Sequence, residues 1–264
     1  KCQALSLQYV LSCISIVGSE KTNIERYFLE DVKQAIYGPP NPRLTIYTGP
    51  RGIGKTTALL QALQQDYEAV NLDINHQLTN KYTRPLYITM DDYSLKNDSL
   101  YDIGTAYATH GGKRLLIDEV HKYPNWSQEI KNLYDKFPHL NMIISGSSLL
   151  EIHKATHDLS RRAVQKKVYG MSFREFLQLK YQRHALKESE IYHYLERFKN
   201  IGKNWESFIA KSEEFSTAIV TTLQKLGIHV LAEFEEYCRI GYYPYFEEIK
   251  NEEDFRRTLQ QQIA

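Results

Sequence analysis

Apolar residues recur at helical spacing across residues 23–36, at Ile24, Phe28, Leu29, Val32 and Ile36, and Gly38-Pro39-Pro40 cannot continue that helix. The pattern then shortens. Residues 43–47 read as a short buried strand, and residues 86–90, 115–117 and 142–145 predict three more, with 164–168 as a fifth. Helical segments separate them at 58–65, at 99–110 capped by Gly111-Gly112, and at 126–137, while 67–84 is polar and aperiodic, a helix end and an inserted loop. Strands alternating with helices imply a parallel sheet covered on both faces, hence an α/β fold. After Ser172 the periodic segments 173–195, 205–226 and 231–240 are helical, with few strand candidates between them. The expected organisation is a leader at 1–22, a core domain at 23–171 and a helical lid domain at 172–264.

The first strand runs directly into Gly49-Pro50-Arg51-Gly52-Ile53-Gly54-Lys55-Thr56-Thr57, and a helix follows. This is the strand–loop–helix context required of G-x-x-x-x-G-K-[ST], the phosphate-binding loop. Its glycines let successive N–H groups turn inward around an anion, and the helix adds the positive end of its dipole. Lys55 supplies a mobile charge for the β and γ phosphates, and Thr56 a hydroxyl for Mg2+. Residues 49–57 are therefore the candidate nucleotide site.

Leu115-Leu116-Ile117-Asp118-Glu119 is an apolar strand ending in two carboxylates. At the carboxyl end of a parallel strand, Asp118 is placed to hold Mg2+ with Thr56, and Glu119 to orient and deprotonate an attacking water. Asp91-Asp92 ends another strand and is a lesser rival. Asn141-Met-Ile-Ile-Ser-Gly-Ser-Ser148 offers hydroxyls at a fourth strand end, with Ser147 ahead of Ser145 as the contact to the γ-phosphate or the water. Arg161 and Arg162 follow, and an arginine there can serve the transferring phosphoryl group in cis or from a neighbouring subunit.

These strings together resemble the AAA-like ATPases of bacteria and archaea, the AAA_14 type, often joined to a DUF4143 C-terminal domain. The resemblance rests on Gly-Pro-Arg-Gly-Ile-Gly-Lys-Thr-Thr, Leu-Leu-Ile-Asp-Glu-Val-His-Lys-Tyr-Pro-Asn-Trp, Ile-Ser-Gly-Ser-Ser, Asp-Leu-Ser-Arg-Arg and Met-Ser-Phe-Arg-Glu-Phe-Leu, in that order between residues 49 and 177. It implies a P-loop NTPase sheet of the ASCE type, Asp118-Glu119 as the Walker B pair, Ser147 as sensor, and Arg162 rather than Arg161 as the family's arginine. One departure is Gly241-Tyr242-Tyr243-Pro244, where the family has Gly-Gly-Tyr-Pro. The resemblance also implies a further C-terminal domain beyond Ala264.

Composition narrows the function. The 264 residues carry 33 Lys and Arg against 32 Asp and Glu, so no global field draws the chain to nucleic acid or an anionic membrane. The basic group Lys166, Lys167 and Arg174 reads as a solvated face. The three cysteines form no CxxC unit, and His153 and His157 lack the Glu of a zinc-binding H-E-x-x-H, which leaves a reducing, cytoplasmic setting and no zinc. The apolar run from Ala4 to Gly18 is interrupted by serines and falls short of a bilayer span. His121, directly after the acidic pair, is placed either to touch the active site or to pack with Tyr123 and Trp126, and packing is the preferred reading. The expectation is a MgATP-binding ATPase, with ATP and ADP as ligands and a homo-oligomer where Arg162 acts in trans. A protein or DNA partner is compatible with the sequence but not specified by it. The competing reading is a nucleotide-gated binding module with little hydrolysis of its own; a kinase shares the loop but has little use for Glu119.

Overall fold

The computed structural model describes residues 25–39, 42–72, 84–95, 99–147, 159, 161–182, 227–249 and 251–263, with four isolated positions between 217 and 224. Two compact units divide at Tyr169–Gly170.

In the first unit, helix α1 (Leu29–Tyr37) buries Leu29, Val32 and Ile36 on one face and opens with Glu30 and Asp31, which suit the positive helix end. It begins later than the periodicity predicts: the backbone before it forms a turn, closed by the Leu29 N–H on the Arg26 carbonyl, and the Arg26 guanidinium reaches the phosphate loop at the Ile53 carbonyl. Strand β1 (Leu44–Thr48) leads into helix α2 (Lys55–Leu72). Strand β2 (Leu86–Thr89) precedes helix α3 (Leu100–Thr109). The Ser99 hydroxyl caps α3 by accepting from the Asp102 N–H. Gly111 and Gly112 close its other end by donating to the Ala108 and Tyr107 carbonyls, a Schellman pair. Strand β3 (Arg114–Asp118), a single 3-10 turn (Val120–Lys122), helix α4 (Trp126–Lys136), strand β4 (Asn141–Gly146) and strand β5 (Val164–Lys167) complete the unit.

The five strands form one parallel sheet in the order β2-β3-β4-β1-β5. Side chains alternate between its faces. Leu44, Ile46, Leu115, Ile117, Met142 and Ile144 pack with Leu100, Ile103, Trp126, Ile130 and Leu133 of α3 and α4. On the other face Tyr47 donates to Asp31 and Asn141 to the Ala35 carbonyl, both on α1. Burying each such apolar side chain stabilises the unit by about 1.5–3 kcal/mol. Strand β4 lies between β1 and β3, and the register sets Ser145 beside Tyr47 of β1 and one residue beyond the Ile117–Ile144 pair of β3 and β4. Strand β5 is the exposed edge and carries the charged side chains Lys166 and Lys167.

The second unit is helical where described. Helix α5 (Phe173–Gln182) starts with a capping box: Ser172 Oγ accepts from the Glu175 N–H at 3.3 Å, and Glu175 accepts from the Ser172 N–H at 2.8 Å. That reciprocity explains the Ser-x-x-Glu within the Met-Ser-Phe-Arg-Glu-Phe-Leu string. Helix α6 (Val230–Ile240), a 3-10 turn (Pro244–Glu248) and helix α7 (Glu252–Ile263) follow. Phe173, Phe176, Phe234, Tyr237 and Phe246 make an aromatic cluster. Tyr242, the departure from Gly-Gly-Tyr-Pro, needs no left-handed backbone; its carbonyl accepts from the Met171 N–H at 2.8 Å. The segments predicted helical at 183–195 and 205–216 lie outside the described residues. Among the described residues no helix is long and apolar enough to cross a membrane.

Candidate nucleotide site

The phosphate loop leaves the carboxyl end of β1 and returns as the first turn of α2. Gly54 has φ +89°, a torsion that L side chains rarely adopt. Gly49 is required for a different reason: a Cβ there would lie 2.3 Å from the Val168 carbonyl oxygen. Ile53, fully buried, pins the loop from below, whereas Arg51 and Gly52 stand exposed and Pro50, Thr56 and Thr57 are half-buried. The Lys55 side chain is 4% exposed, and its ammonium donates to the Gly49 and Pro50 carbonyls at 2.8 Å each. Burial lowers its pKa below the ordinary lysine value, and the Glu119 and Asp118 charges oppose that shift.

Asp118 ends β3 with 1% exposure and collects three hydroxyl donors. Thr56 Oγ1 donates to its Oδ2 at 2.6 Å and Tyr87 Oη to the same oxygen at 2.9 Å, while Ser145 Oγ donates to Oδ1. Each donor comes from a different neighbour: α2, β2 and β4. The Thr56 hydroxyl beside a carboxylate is an all-oxygen donor pair of the kind that holds Mg2+ together with phosphate oxygens and water, so the residues present fit that ion. Among the described residues no group of three His, Cys, Asp or Glu side chains could hold a metal by itself.

Glu119 follows at φ +51°, left-handed for a residue other than glycine. Such torsions cost about 1–3 kcal/mol and persist where surrounding structure enforces them. The turn sends the two carboxylates apart: Asp118 meets Thr56, Tyr87 and Ser145, whereas Glu119 meets Ser147 Oγ at 3.3 Å and His121 Nε2 at 3.4 Å. Lys55, Thr56, Asp118, Glu119, Ser145 and Ser147 thus gather around the carboxyl ends of β1, β3 and β4. Asp91 lies beyond the end of β2, paired with Lys122, whose hydrogen bond holds its carboxyl below the usual carboxylate range.

Arg162 is elsewhere. The register pairs Val164 with Thr45, so Arg162 lies level with the amino end of β1, separated from the loop by roughly 16 Å of strand. There its guanidinium donates to both Asp135 carboxylate oxygens at 2.9 Å. The expectation that Arg162 can act within its own chain is corrected on that ground. Arg161 is exposed, and His153 and His157 lie outside the described residues.

Two side chains at the site, Arg26 and Tyr87, escape a reading of the sequence, and a third, His121, is read there mainly as packing. Arg26, 5% exposed, donates to the Ile53 carbonyl from Nη1 and to the Tyr169 carbonyl from Nη2. Tyr87 reaches Asp118 from the neighbouring strand. His121 touches Glu119 and Ser147 rather than only packing. Their types carried no motif; only His121, within three residues of Asp118, stood near enough to be weighed.

The AAA_14 family, described as an AAA domain, matches residues 41–177. The chain belongs to the AAA_14 family. This AAA domain is ATPase-like and nucleotide-binding in type. Uncharacterized protein MJ1637 of Methanocaldococcus jannaschii is 33% identical over 166 residues, which cover 60% of this chain and 31% of that protein, so the chain spans about a third of that relative. Among solved structures, Caenorhabditis elegans PCH-2 is similar at TM-score 0.36 and 19% identity over 69% of this chain and 47% of the other. The Aeropyrum pernix ORC1 protein, solved in complex with DNA, is similar at TM-score 0.42 and 13% identity, over 65% and 53% respectively.

Proposed function

We propose that this AAA_14 chain hydrolyses MgATP to ADP and phosphate. The observation that carries the reading is the 2.6 Å link from Thr56 to Asp118, which joins the phosphate loop to the acidic strand. Lys55 exchanges its two loop carbonyls for the β and γ phosphates of ATP, whose oxygens compete well for a desolvated ammonium. The N–H groups of residues 51–56 and the α2 dipole cradle the same phosphates. Thr56 and Asp118 would hold Mg2+, which would supply positive charge to offset that of the phosphates. Glu119 orients the attacking water and accepts its proton, and Ser147 contacts the γ-phosphate side. Arg162 acts from a neighbouring copy, so the working form is an oligomer. The division into a nucleotide core at 23–171 and a helical domain at 172–264 belongs to the same proposal.

The second reading, a nucleotide-gated binding module, is favoured by one observation. Arg162 is committed to Asp135, so an isolated chain binds ATP with an incomplete hydrolytic site. ATP binding and phosphate release by the wild-type chain, Lys55→Ala and Glu119→Gln separate the two. The hydrolase predicts loss of release in both variants, with binding retained in Glu119→Gln. Wild-type binding without release supports the switch.

A further inference from the structure

His121 sits on the 3-10 turn after Glu119, and that turn is fixed by fully buried Val120 and by bonds from the Lys122 and Tyr123 N–H groups to the Glu119 and Val120 carbonyls, both at 3.0 Å. The imidazole is held at both nitrogens. The Ser147 N–H donates to Nδ1 at 3.4 Å. A neutral ring that accepts at Nδ1 carries its proton on Nε2. That nitrogen faces Ser147 Oγ at 3.2 Å and Glu119 Oε2 at 3.4 Å, and Ser147 Oγ itself lies 3.3 Å from the same carboxylate oxygen. Both side chains are largely covered, His121 at 14% exposure and Glu119 at 18%.

We propose that His121, in its Nε2–H tautomer, is a positioning residue for Glu119, tying the carboxylate to the backbone at the end of β4. The inference rests on the reading of Glu119 as the base of the hydrolysis. A glutamate has three rotatable bonds, and a base that wanders by an ångström forfeits much of its effect. Both contacts anchor Oε2, which leaves Oε1 as the oxygen that serves the water. A neutral donor does this without cancelling the negative charge that makes the carboxylate a base, as a lysine in the same place would. The distances are long for hydrogen bonds, as is common at catalytic groups before substrate draws them together. Ser147 completes the device: its N–H holds the ring while its hydroxyl is shared between the carboxylate and the γ-phosphate side.

The test uses the 264-residue chain and two readouts. His121→Phe keeps a ring of similar size with no nitrogen, and His121→Gln carries an amide nitrogen that reaches the Nε2 position. His121→Phe lowers kcat by about ten- to a hundredfold with ATP affinity unchanged, and His121→Gln recovers part of the loss. In a Glu119→Gln background His121→Phe costs nothing further. Independently of turnover, the 15N spectrum of the nucleotide-free chain shows His121 as a neutral ring protonated on Nε2, and its signal moves in Glu119→Gln. Wild-type kcat in His121→Phe, a His121→Gln variant no better than His121→Phe, or an Nδ1–H ring overturns the proposal. If the wild-type chain releases no phosphate, the hydrolase reading fails on its own, and the ring's tautomer and its response to Glu119→Gln decide the positioning role.

Discussion

The two ends of the one sheet are built on opposite terms. At the carboxyl end, polar groups are buried against each other: Lys55 on two carbonyls, Asp118 under three hydroxyls, and Glu119 on a left-handed backbone. At the amino end, Arg43 lies over the Tyr134 ring at 3.8 Å, and Arg162 pairs with Asp135 in solvent. Exposed pairs of that kind contribute little and are easily exchanged. Burying a charge is costly unless it is paired. The carboxyl end therefore carries desolvated charge and a left-handed backbone turn, which the proposed reading assigns to phosphate and Mg2+. On the proposed reading, the amino end holds its arginine in a surface pair that a neighbouring copy takes over.

Arg162→Ala puts the largest strain on this contrast. If the amino end serves a neighbour's site, turnover falls by about 10³–10⁵-fold while the thermal midpoint stays where it was, and Asp135→Ala leaves turnover intact. An unaltered rate, or a collapsed midpoint, would make that end merely structural. Gly49→Ala is next. Its Cβ meets backbone at 2.3 Å, which cannot swing aside as a side chain can, so unfolding free energy drops by about 1–3 kcal/mol in denaturant melts and ATP affinity falls with it. Ser145→Ala takes one donor from a buried carboxylate and costs about 1–3 kcal/mol, read in the same melts. A neutral result there would mean that Asp118 is better solvated than its burial implies.

The smallest effect concerns Tyr47, one residue before the end of β1. Burial first, then the Asp31 charge and its hydrogen bond, hold the Tyr47 hydroxyl far above its ordinary value. In the unfolded chain it ionises near pH 10, so its contribution to stability is complete below pH 10 and is lost as pH rises through the folded value. Tyr47→Phe flattens the alkaline limb of the stability–pH curve; an unchanged slope would contradict the assigned burial.

Much of this is legible in the residues themselves. The five strands show because a parallel sheet covered on both faces leaves near-continuous apolar runs, and Ser99 with Gly111-Gly112 brackets α3 by capping chemistry alone. Lys55, Thr56, Asp118 and Glu119 follow from spacing, since each strand end must place its polar residue on the same edge. What stays hidden depends on pairing across the sheet. Ser145 ranks behind Ser147 until the register sets β4 between β1 and β3, which brings its hydroxyl to Asp118. Tyr87 looks like an ordinary strand aromatic. The start of α1 is misplaced because the helical spacing of apolar residues runs on through residues 25–28, whose backbone instead forms a turn closed by the Leu29 N–H on the Arg26 carbonyl. Arg162 is legible as an arginine of interest, but only the pairing of Val164 with Thr45 shows at which end of the sheet it stands.

The most direct test of the central claim is phosphate release from MgATP by the wild-type chain over a wide range of protein concentration, beside Glu119→Gln. Hydrolysis at a site completed by a neighbour's Arg162 predicts specific activity that climbs with concentration and a fall of about 10²–10⁴-fold in the variant. Release that is equal in both proteins, or absent from the wild type at every concentration where ATP is bound, would contradict it.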